Sequence, residues 1–96
     1  MKLELEFLDE IDLKNIEEMY DEYTVNQIDK DNVMEIYNYL IDQGIYYASD
    51  IFVERLELFI QNSEDFIRKF EELKIEIGME YIEKIGEDTG LLDKMY

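Results

Sequence analysis

The side chains that most often carry out chemistry in proteins are scarce in this chain of 96 residues. It contains no histidine and no cysteine, which removes the commonest general base, the thiolate nucleophile and the usual zinc ligands. Its hydroxyl side chains, apart from tyrosine, are Thr24, Ser49, Ser63 and Thr89. The two serines are better explained as helix caps than as nucleophiles. We therefore expect that the protein is not an enzyme.

The acidic side chains Asp29, Asp31 and Glu35 are close enough in sequence to offer oxygen ligands to a cation. An EF-hand calcium loop would also need a ligand at its fifth position, glycine at its sixth and glutamate at its twelfth, and the segment supplies none of these. Gly86 and Gly90 do not form a phosphate loop, because the lysine and hydroxyl of that motif are missing. The sequence therefore predicts no cofactor and no dedicated metal site.

Charge is the outstanding feature of the composition. The chain has 26 Asp and Glu against 9 Lys and Arg, which gives a formal net charge of −17 at pH 7. Binding to nucleic acid phosphates or to an anionic membrane requires a positive protein surface, so neither is expected. The charge favours a basic protein partner, or it serves solubility alone.

One stretch near the N-terminus is acidic without local compensation. Its members are Asp9, Glu10, Asp12, Glu17, Glu18, Asp21 and Glu22. Only Lys14 opposes them there. Further along, Glu64 and Arg68 are spaced to pair on one helix face, and so are Asp65 and Lys69. The acidic stretch is therefore the predicted partner-binding surface.

The density of this charge suggests what the partner is. A compact chain of this length has a diameter of about 32 Å, so 17 net charges amount to one per ~1.9 Å, against about 1.7 Å for duplex DNA. The sequence predicts a DNA or RNA mimic that occupies the basic cleft of a nuclease, CRISPR effector, restriction enzyme or transcription factor. Its composition is similar to that of phage-type acidic inhibitors. Tyr46 and Tyr47, beside Gly44, are the predicted aromatic anchors of the interface.

A second function class stays open, namely a structural or adaptor domain that associates through its tyrosines and its N-terminal arm. Residues 2–8 alternate polar and apolar, so Leu3, Leu5 and Phe7 would share one face of a strand. Such a strand could pair across a homodimer or lie on the helices as an extended arm. The alternative is the start of a helix with Leu3, Phe7 and Ile11 on one side.

The elements that position the acidic stretch are predicted to be helices. Asp9 is the expected N-cap of a helix that runs to about Tyr23. Its buried stripe would be Leu13, Ile16, Tyr20 and Tyr23. Residues 24–31 are predicted to form a connector, anchored to the core by Val25 and Ile28. After the central helices, residues 80–85 are predicted to form a short helix or a turn that ends at Gly86, followed by a loop, and Leu91, Leu92 and Met95 predict a final docked turn.

The central segment 33–78 carries most of the large apolar side chains at helical spacing. Three stripes bury Val33, Ile36, Tyr37, Leu40 and Ile41, then Ile51, Phe52, Leu56, Phe59 and Ile60, then Phe66, Ile67, Phe70, Leu73 and Ile77. Gly44 and Gly78 are predicted to end the first and third of these helices. Their N-caps are predicted at Asn32 or Asp29, at Ser49, and at Asn62 or Ser63.

The spacing of these signals repeats along the chain. Gly44 and Gly78 are 34 residues apart, and Asp29 and Asn62 are 33 apart. Such a period is typical of stacked helical hairpins, although small bundles also have units of this length. The run LFIQNSEDFIRKFEELKIEIGMEYIEKI, residues 58–85, resembles a repeat of the mitochondrial transcription termination factor family. The matching positions are Leu58, Phe59, Ser63, Phe66, Phe70, Leu73 and Gly78, and residues 33–51 fit more loosely.

This resemblance implies a helical-hairpin architecture for residues 33–85 and nothing more. The proline that often precedes the apolar pair of such repeats is absent here. The basic residues that face nucleic acid in that family are missing too, so nucleic-acid binding is not carried over.

Together these patterns predict one all-α domain over residues 1–96. It would be a small bundle of about four to six short helices, arranged either as a simple bundle or as two stacked hairpins, with an extended N-terminal arm. No apolar run approaches the length of a membrane span, and the N-terminus lacks the apolar region of a signal peptide. We therefore expect a cytoplasmic protein.

Overall fold

The computed structural model describes residues 5–96, and this part of the chain is all-helical, as predicted. It contains no strand in that range. The elements are α1 (Glu10–Met19), α2 (Glu22–Asn26), α3 (Lys30–Asp42), α4 (Ala48–Glu54), the 3₁₀ helix η1 (Leu56–Phe59), α5 (Ser63–Ile77), α6 (Tyr81–Glu87) and the 3₁₀ helix η2 (Thr89–Met95).

The two long helices α3 and α5 lie side by side and run in the same direction. The backbone N–H of Ser63 donates to Asn32 Oδ1 at 2.8 Å near their starts, and Lys74 donates to Gln43 near their ends. Between these points the hydroxyl of Tyr39 donates to a carboxylate on α5. Each long helix is followed by a returning segment that is broken into two short helices. These are α4 and η1 after α3, and α6 and η2 after α5.

The broken helices stack on one another in the same way. The Tyr47 hydroxyl at the start of α4 donates to the Ile82 carbonyl at 2.6 Å. At the far end, Arg55 pairs with Asp93. The starts of α3 and α5 are 33 residues apart, and so are the starts of α4 and α6. The period seen in the sequence thus corresponds to two stacked hairpins, and α1 packs on α4 beside them.

The core is built from the stripes that the sequence indicated. Among the predicted buried residues, Ile36, Leu40, Leu56, Phe59, Phe66, Phe70 and Leu73 are all buried. A chain of aromatic contacts runs through the two hairpins: Phe52 meets Phe59 edge-on at 5.0 Å, and Phe59 lies 5.6 Å from Phe66. Such rings bury a large apolar area each and favour these offset geometries, so they tie the repeats into one core.

Glycine ends the long helices because a left-handed residue is needed there. Gly44 has φ +87° and Gly78 has φ +98°. After Gly44 the N–H of Ile45 bonds the Leu40 carbonyl, and the N–H of Gly44 bonds Ile41. This pair of bonds is the Schellman arrangement, and the Ile45 side chain that follows it is buried.

The predicted single helix from Asp9 to about Tyr23 is wrong, because the helix stops at Met19 and a new one starts at Glu22. The chain turns at Tyr20, whose hydroxyl donates to the Val53 carbonyl at 2.8 Å. Tyr23, a predicted core residue, is 76% exposed. The predicted connector 24–31 therefore contains the end of α2, although Val25 is buried as expected.

Several local predictions in the hairpins are also wrong. Ser49 does not cap α4, which follows Tyr47 without a side-chain cap. Ile41 is largely exposed rather than part of the buried stripe. The last predicted loop is short, because α6 continues through Gly86 to Glu87 and η2 already begins at Thr89.

The capping alternatives are resolved at two helix starts. Asp29 rather than Asn32 caps α3, and Asn62 rather than Ser63 caps α5.

Only half of the N-terminal arm falls in the described range. Residues 5–8 make a turn, with the N–H of Leu8 bonded to the Leu5 carbonyl at 3.1 Å. Leu5 is buried, and the Phe7 ring stacks on Tyr37 at 4.1 Å. This part of the arm lies on its own core. Leu3 and the rest of the predicted strand lie outside the described residues, and the homodimer stays a prediction.

Candidate functional site

The carboxylates of the acidic stretch on α1 and α2 fall into two groups, those that cap helices and those that are free. Asp9 Oδ1 accepts from the N–H of Asp12 at 2.8 Å, and the Asp12 side chain accepts in return, which makes a capping box. Asp21 caps α2 by accepting from Thr24. Hydrogen bonds from Thr24 hold the pKa of Asp21 below its usual value. Three of the seven carboxylates thus stabilise helix starts, which lowers the part of the charge that is free to bind a partner.

The other four acids of the stretch point to solvent. They are Glu10, Glu17, Glu18 and Glu22, all exposed. In the described range every acidic residue except Asp12 is exposed. Within α1 the free acids are not three or four residues apart, so they do not face one another on successive turns. The sequence alone could have separated the two groups, since Asp9 and Asp21 each precede a helical pattern.

Charge is divided unevenly between the two halves of the described chain. Residues 5–54 contain 14 acidic and two basic residues, net −12, whereas residues 55–96 contain 11 acidic and six basic residues, net −5. The first half forms α1 to α4. The net negative charge is therefore larger in the N-terminal part of the stack, because basic residues are few there.

Most of the basic residues in the second half are already engaged. Arg68 lies 3.8 Å from Asp65 and 3.6 Å from Glu72. Lys94 pairs with Glu76. The predicted pairs of Glu64 with Arg68 and of Asp65 with Lys69 are both wrong, and Lys69 instead holds the Gln61 and Met95 oxygens.

Lys74, another basic residue with partners, lies between α3 and α5. Lys74 binds Glu71 at 3.1 Å and also reaches Gln43. A hydrogen bond from Tyr39 and then one from Lys74 lower the pKa of Glu71. Burial raises the pKa of Tyr39 in turn. This network joins the two long helices, so its role is structural.

Large apolar side chains are exposed among the acids of α1 and α2. Ile11 is 69% exposed, and Met19 and Tyr23 are exposed beside Glu18 and Glu22. Exposed apolar groups rimmed by polar residues are typical of protein interfaces. Ile11 and Met19 lie off the buried stripe predicted for this helix, so the sequence held a signal for their exposure, whereas Tyr23 was predicted to be buried.

The tyrosine pair lies elsewhere than on the acidic stretch. Tyr46 is 81% exposed and its ring meets Tyr47 edge-on at 5.0 Å. Burial raises the pKa of Tyr47 to about 12, and its hydroxyl is fixed by the bond to Ile82. Both rings border a groove of ≈ 390 Å³ whose other wall is α6, including Glu83 and Glu87. The structure thus brings the tyrosines together with the acids of α6 rather than with those of α1.

The described residues offer little that could hold a metal or enter a bilayer. Between residues 5 and 96 there is no cluster of three or more His, Cys, Asp or Glu side chains placed to share a cation. Asp29, one of the possible oxygen ligands, accepts from the N–H groups of Asp31 and Asn32 instead. In the same range no helix combines the length and the apolar character of a membrane span.

Comparison with family models, with curated proteins and with solved structures gave no match for this chain. The resemblance to mitochondrial transcription termination factor repeats therefore stays a prediction. The site has to be interpreted from its own residues, and these are two surfaces: the acidic and apolar face of α1 and α2, and the groove between Tyr46 and α6.

Proposed function

We propose that this protein is a non-enzymatic acidic inhibitor that occupies the basic nucleic-acid-binding surface of a partner protein. The proposal depends on one observation, the excess of negative charge in the N-terminal half, where 14 acidic residues stand against two basic residues and give a net charge of −12 over residues 5–54. A surface of this sign attracts a basic groove and repels nucleic acid itself. The partner would be a nuclease, an RNA-guided effector, a restriction enzyme or a transcription factor.

The shape of the molecule supports mimicry of a nucleic acid. The longest principal extent is 39 Å, so 17 net charges along it correspond to one per ~2.3 Å, against about 1.7 Å of duplex axis for each DNA charge. Within α1 the free acids Glu10, Glu17 and Glu18 span eight residues, or about 12 Å of helix axis, and Glu22 lies at the start of α2. A groove lined with lysine and arginine would therefore meet several carboxylates within a short distance.

Apolar contacts would add affinity to the electrostatic attraction. Ile11, Met19 and Tyr23 are exposed on the same two helices as the free acids. Buried charge pairs often gain little net affinity, whereas aromatic and apolar anchors at the centre of an interface contribute most of it. We therefore place the contact surface on α1 and α2. The glutamates would determine the association rate, and these three apolar side chains would determine the dissociation rate.

A structural or adaptor role is the second candidate. It is favoured by the exposed Tyr46 ring beside the α6 groove, since tyrosine is enriched at protein interfaces. The arrangement of α3 to η2 as stacked hairpins suits an adaptor too, because repeat proteins commonly bind through extended surfaces. The resemblance to transcription termination factor repeats would then concern architecture alone.

A competition experiment separates the two functions. The protein is used to capture partners from cell extract, alongside a variant with Glu10, Glu17, Glu18 and Glu22 changed to Gln. Each purified partner is then bound to labelled DNA or RNA and titrated with the protein. We expect displacement of the nucleic acid by the native protein and much weaker displacement by the variant. A partner that binds both proteins equally and keeps its nucleic acid would refute the inhibitor and favour the adaptor.

A further inference from the structure

A continuous surface runs along α6 that the acidic stretch does not explain. Three grooves follow one another there and share lining residues. The first, of ≈ 310 Å³, is bordered by Ile75, Gly78 and Met79. The second, of ≈ 570 Å³, extends from Met79 to Glu87. The third is the groove beside Tyr46, which shares Glu83 and Glu87 with the second.

The two ends of this surface are apolar and highly exposed. Met79 is 99% exposed and Ile75 is 83% exposed, and Tyr46 stands at the other end. Met79 directly follows Gly78, whose left-handed backbone ends α5 and turns the chain outward. Methionine is a flexible side chain that recurs at surfaces where proteins bind peptide helices. Fully exposed apolar groups at both ends of a groove are typical of an interaction site.

The middle of the surface is acidic. Glu83 and Glu87 are one helical turn apart on the exposed face of α6, so they project together. Glu80 adjoins them, and Lys84 is the one basic residue that borders the second groove. Lys74, at the first groove, is drawn into the contacts with Glu71 and Gln43. From Met79 to Tyr46 the surface is therefore first apolar, then negatively charged, then aromatic.

We infer that this surface binds a basic amphipathic helix of a protein partner. Such a helix would place an apolar residue against Met79 and Ile75, Lys or Arg against Glu83 and Glu87, and a second apolar or cationic residue against Tyr46. A second copy of this chain fits poorly, because each copy carries a net charge of −17 and copies repel. The complementarity of charge selects a basic segment, and the apolar ends select an amphipathic one.

The spacing defines a peptide that can test this. From Tyr81 to Gly86 α6 advances five residues, or about 7.5 Å along its axis, and Met79 lies two residues before its start. The probe is a fluorescein-labelled helical peptide of about 16 residues with leucines seven positions apart and lysines between them on the same face. A peptide of the same composition in scrambled order is the control ligand. Binding is followed by fluorescence anisotropy at low and at moderate salt.

Three variants of the protein complete the experiment. Met79→Ser should raise the Kd about tenfold at both salt concentrations, since it removes an apolar anchor. Glu83→Gln with Glu87→Gln should raise it several-fold, mainly at low salt. The matched control, Glu54→Gln with Glu57→Gln, makes the same charge change outside the three grooves and should leave the Kd unchanged.

The inference fails if the designed peptide does not bind, or if the scrambled peptide binds equally well. It also fails if the control variant weakens binding as much as the α6 variant, or if Met79→Ser has no effect. None of these outcomes depends on the inhibitor proposal, which concerns α1 and α2 and is tested by displacement of nucleic acid. The two surfaces can therefore be judged separately.

Discussion

The amide side chain of Asn32 joins the first hairpin to the second, and its removal tests how the stack is held. Its Nδ2 group donates to the carbonyls of Phe59 at 3.2 Å and Gln61 at 2.6 Å. Its Oδ1 accepts from the N–H of Ser63 at 2.8 Å. One side chain therefore provides hydrogen-bond partners for two carbonyls and an N–H group at the turn between η1 and α5, where the regular helical bonds are interrupted.

Asn32→Ala should cost about 2–3 kcal/mol of unfolding free energy. Three hydrogen bonds at about 0.5–1.5 kcal/mol each give roughly 2–4 kcal/mol, and the better helix propensity of alanine returns at most about 0.7 kcal/mol. For a domain of this size the melting temperature should fall on the order of 10 °C. Urea unfolding followed by circular dichroism measures the change directly.

Asn38→Ala is the matched control, because Asn38 is exposed on the same helix. It should leave the stability unchanged or raise it by about 0.5 kcal/mol through helix propensity. If Asn32→Ala and Asn38→Ala have equal effects, the side-chain bridge does not stabilise the stack, and the account of how the hairpins are joined is wrong.

Three further predictions concern the stack and the arm. Burial raises the pKa of Tyr47 to about 12 from the usual value near 10. Its contribution to stability should therefore be complete below about pH 10 and lost as the pH rises through 12. The alkaline unfolding of Tyr47→Phe should consequently depend less on pH than that of the native protein. Gly44→Ala and Gly78→Ala should both lower the melting temperature through their positive φ, with at most a small extra loss at Gly44, because the atom 2.7 Å from a Cβ there is the movable Cδ1 end of Ile82; a much larger loss at Gly44 would contradict this. Deleting residues 1–8 should lower stability, because the end of this arm packs on the core. Light scattering shows whether the deletion also dissociates a dimer. An intact protein that is monomeric at high concentration would contradict the predicted dimer.

The sequence predicted the helices best where apolar spacing and a glycine stop agreed. In α3 and α5 the stripes and Gly44 and Gly78 all point to the same boundaries, and the structure follows them. The break at Tyr20 was not predicted, because it depends on a hydroxyl bond to Val53, far away in the chain. A local signal did exist there, since Asp21 is an N-cap residue type placed just before a second short helix.

The candidate site was predictable in its total charge and not in its arrangement. Counting residues gives −17 and Asp9 was predicted as a cap, but the reciprocal bond of Asp12 and the cap at Asp21 emerged only with the fold. Ile75 lies off the predicted stripe of its helix, but no local signal showed that Met79, which follows Gly78 outside any helix, would be almost fully exposed. Apolar pattern identifies a face, and tertiary packing decides whether that face is covered.

The most direct test of the central claim is the association rate constant of the protein with its basic partner, measured across salt concentration. Two variants with equal charge changes are compared: Glu10, Glu17, Glu18 and Glu22 to Gln on α1 and α2, and Glu54, Glu57, Glu64 and Glu72 to Gln elsewhere. We predict that the first variant associates much more slowly at low salt and approaches the native rate as screening increases. We predict that the second stays close to the native protein throughout. Equal rates for the two variants at every salt concentration would contradict the claim that the acidic face of α1 and α2 is the recognition surface.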